Sequence, residues 1–377
     1  MAVTDVDRYA RHTVLPEFGP EGQARLAAAR VLCVGAGGLG SAALPYLVAA
    51  GVGTVTIVDP DRVDRTNLQR QVLYSERDVG ASKVGAGAAR LRDLNRDVEV
   101  VALEGRLDAT NVDALVRAHD LVLDGSDNYP TKYLLADATA RLGRPLVYGS
   151  VTAWEAMVTV FDARQGPCLR CLFPQSPQGW VPNCSEAGVF GPLVGIAGAM
   201  QAGEALKVLL ADPSLRTLVG RLWFVDGRDL ATRQVAIPRR QGCEGCAGTA
   251  APVPDEALRC APEAAVDAPT ALALEGAVFV DVREPDEFAA GHVPGAVNRP
   301  LSALHGGAHG LPAAASYVLY CSHGVRSRSA AALLEAAGVA GVRHLDGGLA
   351  AWGGALTAVG KPAIARTASD RSAAPKP

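Results

Sequence analysis

From Val31 to Val58 the chain runs 28 residues without a charged side chain, yet it carries six glycines and Pro45. A bilayer-spanning helix needs about 20 apolar residues, so length alone admits a membrane span. The glycines argue otherwise. They divide the run into a strand (VLCVG), a glycine-rich loop, a helix (SAALPYLVAAG) and a second strand (TVTIVD). A buried α/β unit is therefore expected, with no membrane partner. The alternation continues through KVGAGAARLRDLN, VEVVAL, NVDALVRAH and LVLDGSD, which predicts a doubly wound, mostly parallel, Rossmann-like sheet. Further strands at LVYGSV, MVTVFD, RLWFVD and TRQVAI and a long helix over 190–210 make a second half.

The 377 residues are 49% hydrophobic and 20% charged, ordinary for a globular chain and long enough for two or three domains. Residues 1–247 read as the first domain, opening with an amphipathic helical segment over 1–30. The Ala/Pro-rich 248–261 reads as a linker. A small α/β pattern fills 262–357, with strands at VFVDVRE and VLYCS, and 358–377 reads as a disordered tail. With 36 basic and 39 acidic side chains the net charge is -3, too little positive charge to grip nucleic acid. Only five cations are lysines, at 83, 132, 207, 361 and 376, so each invites a reason. The start, MAVTDVDRYARH, lacks an apolar signal core, and eight cysteines are too sparse for a disulfide scaffold. A cytoplasmic protein using thiols for metal or catalysis is expected.

Gly35-Ala-Gly37-Gly38-Leu-Gly40 follows the first strand and opens a helix, so backbone N–H groups can meet a phosphate at the helix N-terminus. Asp59 ends the next strand, where an acid can bond a ribose hydroxyl. Alone, this is a weak dinucleotide fingerprint. Beyond it come Thr66-Asn67-Leu68-Gln69-Arg70, then Lys83 at a helix start, and Asp127-Asn128 after a later strand. A hydride-transfer enzyme has no use for two cations and an acid at that sheet edge, whereas a triphosphate does. The loop has no phosphate-binding lysine of its own. Arg70 and Lys83 would meet the phosphate charge and Asp127 would hold Mg²⁺.

GAGGLGS, VDPDRVDRTNLQRQ, the Gly80-Ala-Ser-Lys83 segment and DGSDN resemble the MoeB/ThiF-type adenylyltransferases, bacterial relatives of ubiquitin-activating enzymes, over about residues 5–247. The resemblance implies that ATP reacts with the C-terminal Gly-Gly carboxylate of a ubiquitin-like sulfur carrier protein, giving an acyl-adenylate and pyrophosphate. It places Gly38, Asp59, Asn67, Arg70, Lys83, Asp127 and Asn128 in the ATP site, with Gly35, Gly37, Gly40, Thr66, Leu68 and Gln69 beside them. It further implies a homodimer, with Arg11 reaching the phosphates of the neighbouring subunit.

Cys168-Leu-Arg-Cys171 and Cys243-Glu-Gly-Cys246 are two C-x-x-C pairs. One alone could be redox-active; together they supply four thiolates for a structural Zn²⁺ with no open position, as the matching family positions also imply. Cys184 lies outside both pairs, just before the long helix, where a helix N-terminus favours thiolate. The resemblance allows it a covalent link to the activated carrier; the plainer reading is a non-catalytic loop cysteine.

Asp281-Val-Arg283, Gly291-His292-Val-Pro-Gly295 and Cys321-Ser-His-Gly-Val-Arg326 resemble a rhodanese domain over about 262–356, and the fusion resembles the MoeZ-type arrangement. Cys321 follows a strand and precedes a helix, so the loop to Arg326 can curl N–H groups around a thiolate or persulfide. Cysteine phosphatases place five residues between Cys and Arg; four stand here, a smaller ring suited to sulfur. Ser322-His323 stand where many relatives carry Lys or Arg. The donor is thus open between thiosulfate and a cysteine desulfurase, with the first less favoured.

The expected function is adenylation of the carrier followed by delivery of sulfur from a Cys321 persulfide, yielding a thiocarboxylate for molybdopterin, thiamine, cysteine or tRNA-thiolation chemistry. Two other readings remain. An enzyme conjugating the carrier to proteins would need Cys184 but not Cys321, and a regulator would bind both ligands without turnover.

Overall fold

The computed structural model describes residues 8–175, 188–250, 265–304, 310–322, 324–358 and 361–364. These form two compact units, one with the first eight strands and the other with the remaining seven.

In the first unit the strands are β1 (Arg30–Val34), β2 (Thr54–Asp59), β3 (Glu99–Glu104), β4 (Leu121–Asp124), β5 (Leu146–Thr152), β6 (Glu155–Phe161), β7 (Arg221–Asp226) and β8 (Thr232–Ala236). They form one sheet in the order β3-β2-β1-β4-β5-β6-β7-β8. Pairing is parallel from β3 to β5 and antiparallel from there to β8. The parallel part follows from composition. TVTIVD and LVLD are buried at every residue, as strands covered by helices on both faces must be. On one face, the Gly38–Ala49 and Gly191–Leu210 helices bury Leu44, Leu47, Leu193 and Ala197. On the other, the Tyr129–Leu142 helix buries Tyr133 and Leu135. Because β1 lies between β2 and β4, the chain leaves its carboxyl end toward both sides. That reversal opens the crevice where such sheets bind ligands.

The uncharged run resolves as β1, a loop, the Gly38–Ala49 helix and β2. The Gly191–Leu210 helix is the one described helix long and apolar enough to cross a membrane; half of its most apolar window is buried in the unit. A Cβ on its Gly198 would lie 2.6 Å from Leu39 O, so the two central helices meet at backbone distance. The helical segment expected over 1–30 is two helices, Ala10–Thr13 and Gly19–Ala28. Pro16 separates them, lacking an N–H and disfavouring helical backbone at Leu15.

The second unit holds β9 (Ala265–Val266), β10 (Val278–Asp281), β11 (Val297–Asn298), β12 (Tyr317–Tyr320) and β13 (Val342–Leu345), all parallel, in the order β11-β10-β12-β13-β9. Tyr317 and Leu319 enter one core with Val280 and Leu334, while Val318 and Tyr320 enter another with Leu345 and Trp352. Consecutive side chains of β12 thus bury on opposite faces. A hairpin of β14 (Leu356–Ala358) and β15 (Lys361–Ile364) follows. The composition had placed 361–364 in a disordered tail. Backbone pairing with β14 orders them, a non-local term that a short, weakly patterned segment does not advertise. Residues 365–377 lie outside the described part, as do 251–261 of the expected linker and 262–264 of the domain expected after it.

Leu319 is fully buried at the centre of β12. Leu319→Ala should cost the second unit about 2–5 kcal/mol, read by calorimetry as a lowered transition for that unit with the transition of the first unmoved.

Candidate functional site

At the carboxyl edge of β1 the chain turns through Gly35, whose φ is +94° and whose N–H donates to Val58 O at 2.9 Å. A Cβ there would lie 2.6 Å from Gly125 O, and one on Gly40 would lie 2.0 Å from Gly35 O. Both glycines are therefore consumed by backbone crossings. Gly38 is closed as well, with Val194 Cγ1 at 2.6 Å from its would-be Cβ. Gly37 differs: a Cβ there would meet only Gln71 Nε2 at 3.7 Å, leaving space for a ligand.

Asp59 is 5% exposed. Its Oδ2 accepts the Ala36 N–H at 2.7 Å and its Oδ1 the Asp61 N–H at 2.8 Å. Burial is the main cause that pushes its pKa up. Its first task is to hold the glycine loop, and each oxygen keeps a lone pair for a ribose hydroxyl. Tyr74 Oη donates to Ala36 O at 2.8 Å, so both backbone polar groups of Ala36 are held.

Thr66 is fixed by Asp64, whose Oδ1 accepts its N–H at 2.7 Å. Asn67 O accepts the N–H groups of Arg70 and Gln71, and Leu68 packs on the core. Gln69 O would lie 2.4 Å from a Cβ on Gly191, tying this turn to the long helix. The Arg70 Nη1 donates to Thr66 O at 3.2 Å. Lys83, buried although charged, pairs with Asp61 Oδ2 at 2.9 Å. Asp127 and Asn128 are exposed past the end of β4, and Asn128 Oδ1 caps the next helix by accepting the Thr131 N–H at 2.9 Å.

The structure thus gathers the glycine loop, Asp59, the 66–70 turn, Lys83 and the Asp127 loop around one crevice. It does not bring Arg11 there. Asn95 Nδ2 donates to Tyr9 Oη at 2.8 Å, and Tyr9 packs on Gly51. Gly51 lies beyond the far end of the Gly38–Ala49 helix, which spans about 18 Å. Cys184 lies outside the described residues.

Three residues here were missed in the sequence. Gln71 is 4% exposed and its Oε1 has no hydrogen-bond partner. Tyr74 lies outside the motifs that pointed to the site. Lys132 donates to Asp124 Oδ2 at 2.9 Å and to Gly149 O at 2.7 Å, while Asp124 Oδ1 accepts from the Ser126 N–H and hydroxyl. This buried pair fixes the loop that carries Asp127. The scarcity of lysine was the signal for it.

The four sulfurs of Cys168, Cys171, Cys243 and Cys246 lie within 4.8 Å of one another. Cys168–Cys243 and Cys171–Cys246 are 3.5 and 3.4 Å apart. Tetrahedral Zn–S bonds of about 2.3 Å set sulfurs roughly 3.8 Å apart, so the cluster fits such an ion. A Cβ on Gly245 would lie 2.8 Å from Cys168 Sγ, which explains glycine within that knuckle. Burial disfavours the Cys243 thiolate, but hydrogen bonds from the Cys246 backbone and Cys168 outweigh it and bring the thiol down to about 7.

In the second unit Cys321 directly follows β12 and is 2% exposed. Its Sγ accepts from the Gly324 N–H at 3.1 Å and faces the buried Ser327 hydroxyl at 3.8 Å. Gly324, at φ +86°, turns the chain into the Val325–Ala336 helix. Leu349 and Ala350 donate their N–H groups to Cys321 O and Ser322 O, fixing the loop from behind. Arg326 forms a two-pronged ion pair with Glu287, which the sequence reading had not singled out.

A glycine loop flanked by Arg70 and Lys83, a four-thiol cluster and a separate cysteine loop together fit an adenylating protein that carries a sulfur-handling domain. Residues 9–245 match the ThiF family and residues 266–355 the rhodanese-like domain. The chain belongs to the ThiF family and carries a C-terminal rhodanese-like domain. It is 38% identical over 370 residues to the probable adenylyltransferase/sulfurtransferase MoeZ of Mycobacterium tuberculosis, covering 92% of this chain and 93% of that protein. It is 47% identical over 248 residues to the sulfur carrier protein adenylyltransferase of Thermus thermophilus, covering 64% of this chain and 91% of that one. Among solved structures, E. coli MccB with ATP shares the fold at TM-score 0.56 and 20% identity, over 64% of this chain and 75% of MccB.

Burial opposes the Lys132 charge, but the Asp124 carboxylate and its hydrogen bond outweigh it, so the Lys132 pKa stands above that of a free lysine. The pair's stabilisation is therefore complete at neutral pH and lost only as pH rises through that raised value. Lys132→Met should cost about 3–5 kcal/mol by stranding Asp124, and Asp124→Asn in the same chain should recover part of it, both read by denaturant unfolding at pH 7.

Proposed function

We propose that this protein adenylates the C-terminal Gly-Gly of a ubiquitin-like sulfur carrier protein and then passes it sulfur from a persulfide on Cys321. The observation that carries this is the pairing, on one chain, of an open phosphate cradle at Gly37 with a buried, N–H-liganded cysteine. The printed names of the relatives, which span both activities, support it.

The carrier carboxylate attacks the α-phosphorus of ATP and the bond to the β-phosphate oxygen breaks, its electron pair leaving with pyrophosphate. Arg70 and Lys83 meet that charge; Lys83 is already aimed by Asp61. Asp127 would hold Mg²⁺, which neutralises phosphate charge when bound. The outer sulfur of a Cys321 persulfide attacks the acyl carbon, and AMP leaves with the electron pair of the C–O bond. A small thiol then attacks the Cys321 sulfur and forms a disulfide with it, while the S–S bond to the acyl sulfur breaks and the thiocarboxylate leaves with the electron pair.

Because the glycine loop lies at the far end of the helix from Tyr9, Arg11 would serve a neighbouring copy, in a homodimer. The four cysteines would hold a structural Zn²⁺, closed by four thiolates. Conjugation through Cys184 is the second reading, favoured by a family relative named SAMP-activating enzyme E1, from Haloferax volcanii, 47% identical over 244 residues.

Mass spectrometry of a Gly-Gly carrier tests the assignment. Arg70→Ala or Lys83→Ala should slow pyrophosphate exchange about 10²–10³-fold. Cys321→Ala should leave exchange unchanged and abolish thiocarboxylate. Wild-type exchange in both cation variants would refute the ATP site; thiocarboxylate at the wild-type rate in Cys321→Ala would refute the shuttle.

Metal analysis should find about one Zn per chain, with Cys243→Ser lowering both occupancy and melting temperature. Equal stability in metal-free protein would remove the structural role.

A further inference from the structure

The cysteine loop of the second unit presents an arginine that is already neutralised. Arg326 Nη1 donates to Glu287 Oε2 at 2.7 Å and Nη2 to Oε1 at 2.8 Å. Glu287 belongs to the Pro285–Ala290 helix, and its Oε2 also accepts the Glu284 N–H at 3.2 Å. Ser322, within the loop, lies 3.4 Å from Glu287 Oε1 and 3.3 Å from Arg326 Nη2. The carboxylate is thus anchored to its own helix, to the guanidinium and to the loop. Arg283 is committed as well, with two prongs to Asp281 and a bond to Gly291 O. Arg328, two residues on in the Val325–Ala336 helix, is exposed.

The Glu287 and Arg326 side chains are about one-third exposed, while Cys321 beside them is 2% exposed. A donor that places its sulfur on Cys321 presents the rest of itself to this pair. Thiosulfate would bring two negative charges to a guanidinium whose charge is cancelled and to a carboxylate that repels them. The persulfide group of an organic donor, R–S–SH, brings one negative charge at most to this pair and asks for no anion clamp.

We propose that Glu287 is a specificity-determining residue for loading Cys321, cancelling Arg326 and so selecting an organic persulfide over a dianionic sulfonate donor. This rests on the proposed reading of Cys321 as the sulfur carrier site and names its donor class. The Cys321 thiolate attacks the outer sulfur of the persulfide and the donor S–S bond breaks. The electron pair leaves on the donor thiolate, and the proton of the outer sulfur stays on the new Cys321 persulfide. No external oxidant or reductant enters.

The test follows sulfur added to Cys321 in the full chain by intact-protein mass. The donors are thiosulfate, glutathione persulfide and a protein bearing one cysteine persulfide. Wild type should load faster from the persulfides, and the faster of the two identifies a small or a protein donor. Glu287→Gln keeps the size and one acceptor of the side chain. It should lower the KM for thiosulfate about 10–100-fold, as removing one like charge near a dianion does, with kcat and persulfide loading nearly unchanged. Glu287→Asp should retain the rejection. A merely structural role would weaken all donors together, so improved thiosulfate use separates the two. Equal wild-type loading from thiosulfate and persulfides would overturn the inference without recourse to any variant. So would an unchanged thiosulfate KM in a natively melting Glu287→Gln protein. No added sulfur from any donor would instead overturn the reading of Cys321, and the inference with it.

Discussion

The first unit depends on one crossing of backbones. Gly35 leaves β1 and Gly125 leaves β4 so closely that a Cβ on either would lie within 2.6 Å of the other's carbonyl oxygen. Neighbouring parallel strands bring these turns to the same edge, and only glycine lets them share it. The crossing seats Ala36 against Asp59 and Tyr74, and it brings the start of the loop that carries Asp127 against the glycine loop. A side chain at Gly35 or Gly125 would separate the two loops and with them the two halves of the nucleotide crevice. Lys132 and Asp124 reinforce this arrangement from beneath, at the cost of burying two charges that hold only as a pair.

Both units also keep reactive cations paired with carboxylates. Lys83 waits on Asp61, whose side chain is 63% exposed, and Arg326 waits on Glu287 at 33%. The difference in setting decides what each partner does. Asp61 projects into solvent, where water screens it and a polyphosphate can outcompete it. Glu287 receives two guanidinium bonds and one backbone N–H, and the Arg326 hydrogen bonds chiefly hold its pKa down at about 2. At neutral pH it stays charged and in place. One pairing positions a cation for an anion; the other withholds it.

What the sequence made legible follows from range. The glycine loop, the helix start at Lys83 and the two C-x-x-C knuckles are local patterns whose geometry needs few residues to specify. They point to the sheet and to the four-sulfur cluster. Tyr74 and Glu287 were not legible, because each acts through a partner far along the chain, Ala36 or Arg326, and Lys132 was not, because its partner Asp124 sits on a different element. Lys132 left a trace in the rarity of lysine, whereas nothing set Glu287 apart from its neighbouring acid Asp286. The β15 strand was missed for the same reason, since its pairing is with β14 and not within itself. The boundary assigned at 358 misled because composition cannot see that hydrogen-bonded partner.

The fusion of the two units has a physical rationale in the lifetime of the proposed intermediate. An acyl-adenylate is an electrophile that water destroys, so the nucleophile must arrive before it does. A persulfide on a separate protein would arrive at a rate set by its concentration in solution. On the same chain the tether raises its effective concentration, on the order of mM for short tethers, and needs no new contact to do so. Such a benefit requires that the cysteine loop be loaded before the adenylate forms. A loop that any small anion could occupy would spend time blocked by sulfonate-bearing donors or their sulfite product. A carboxylate fixed beside Arg326 keeps the cradle clear of such ions, and the persulfide waits for the adenylate.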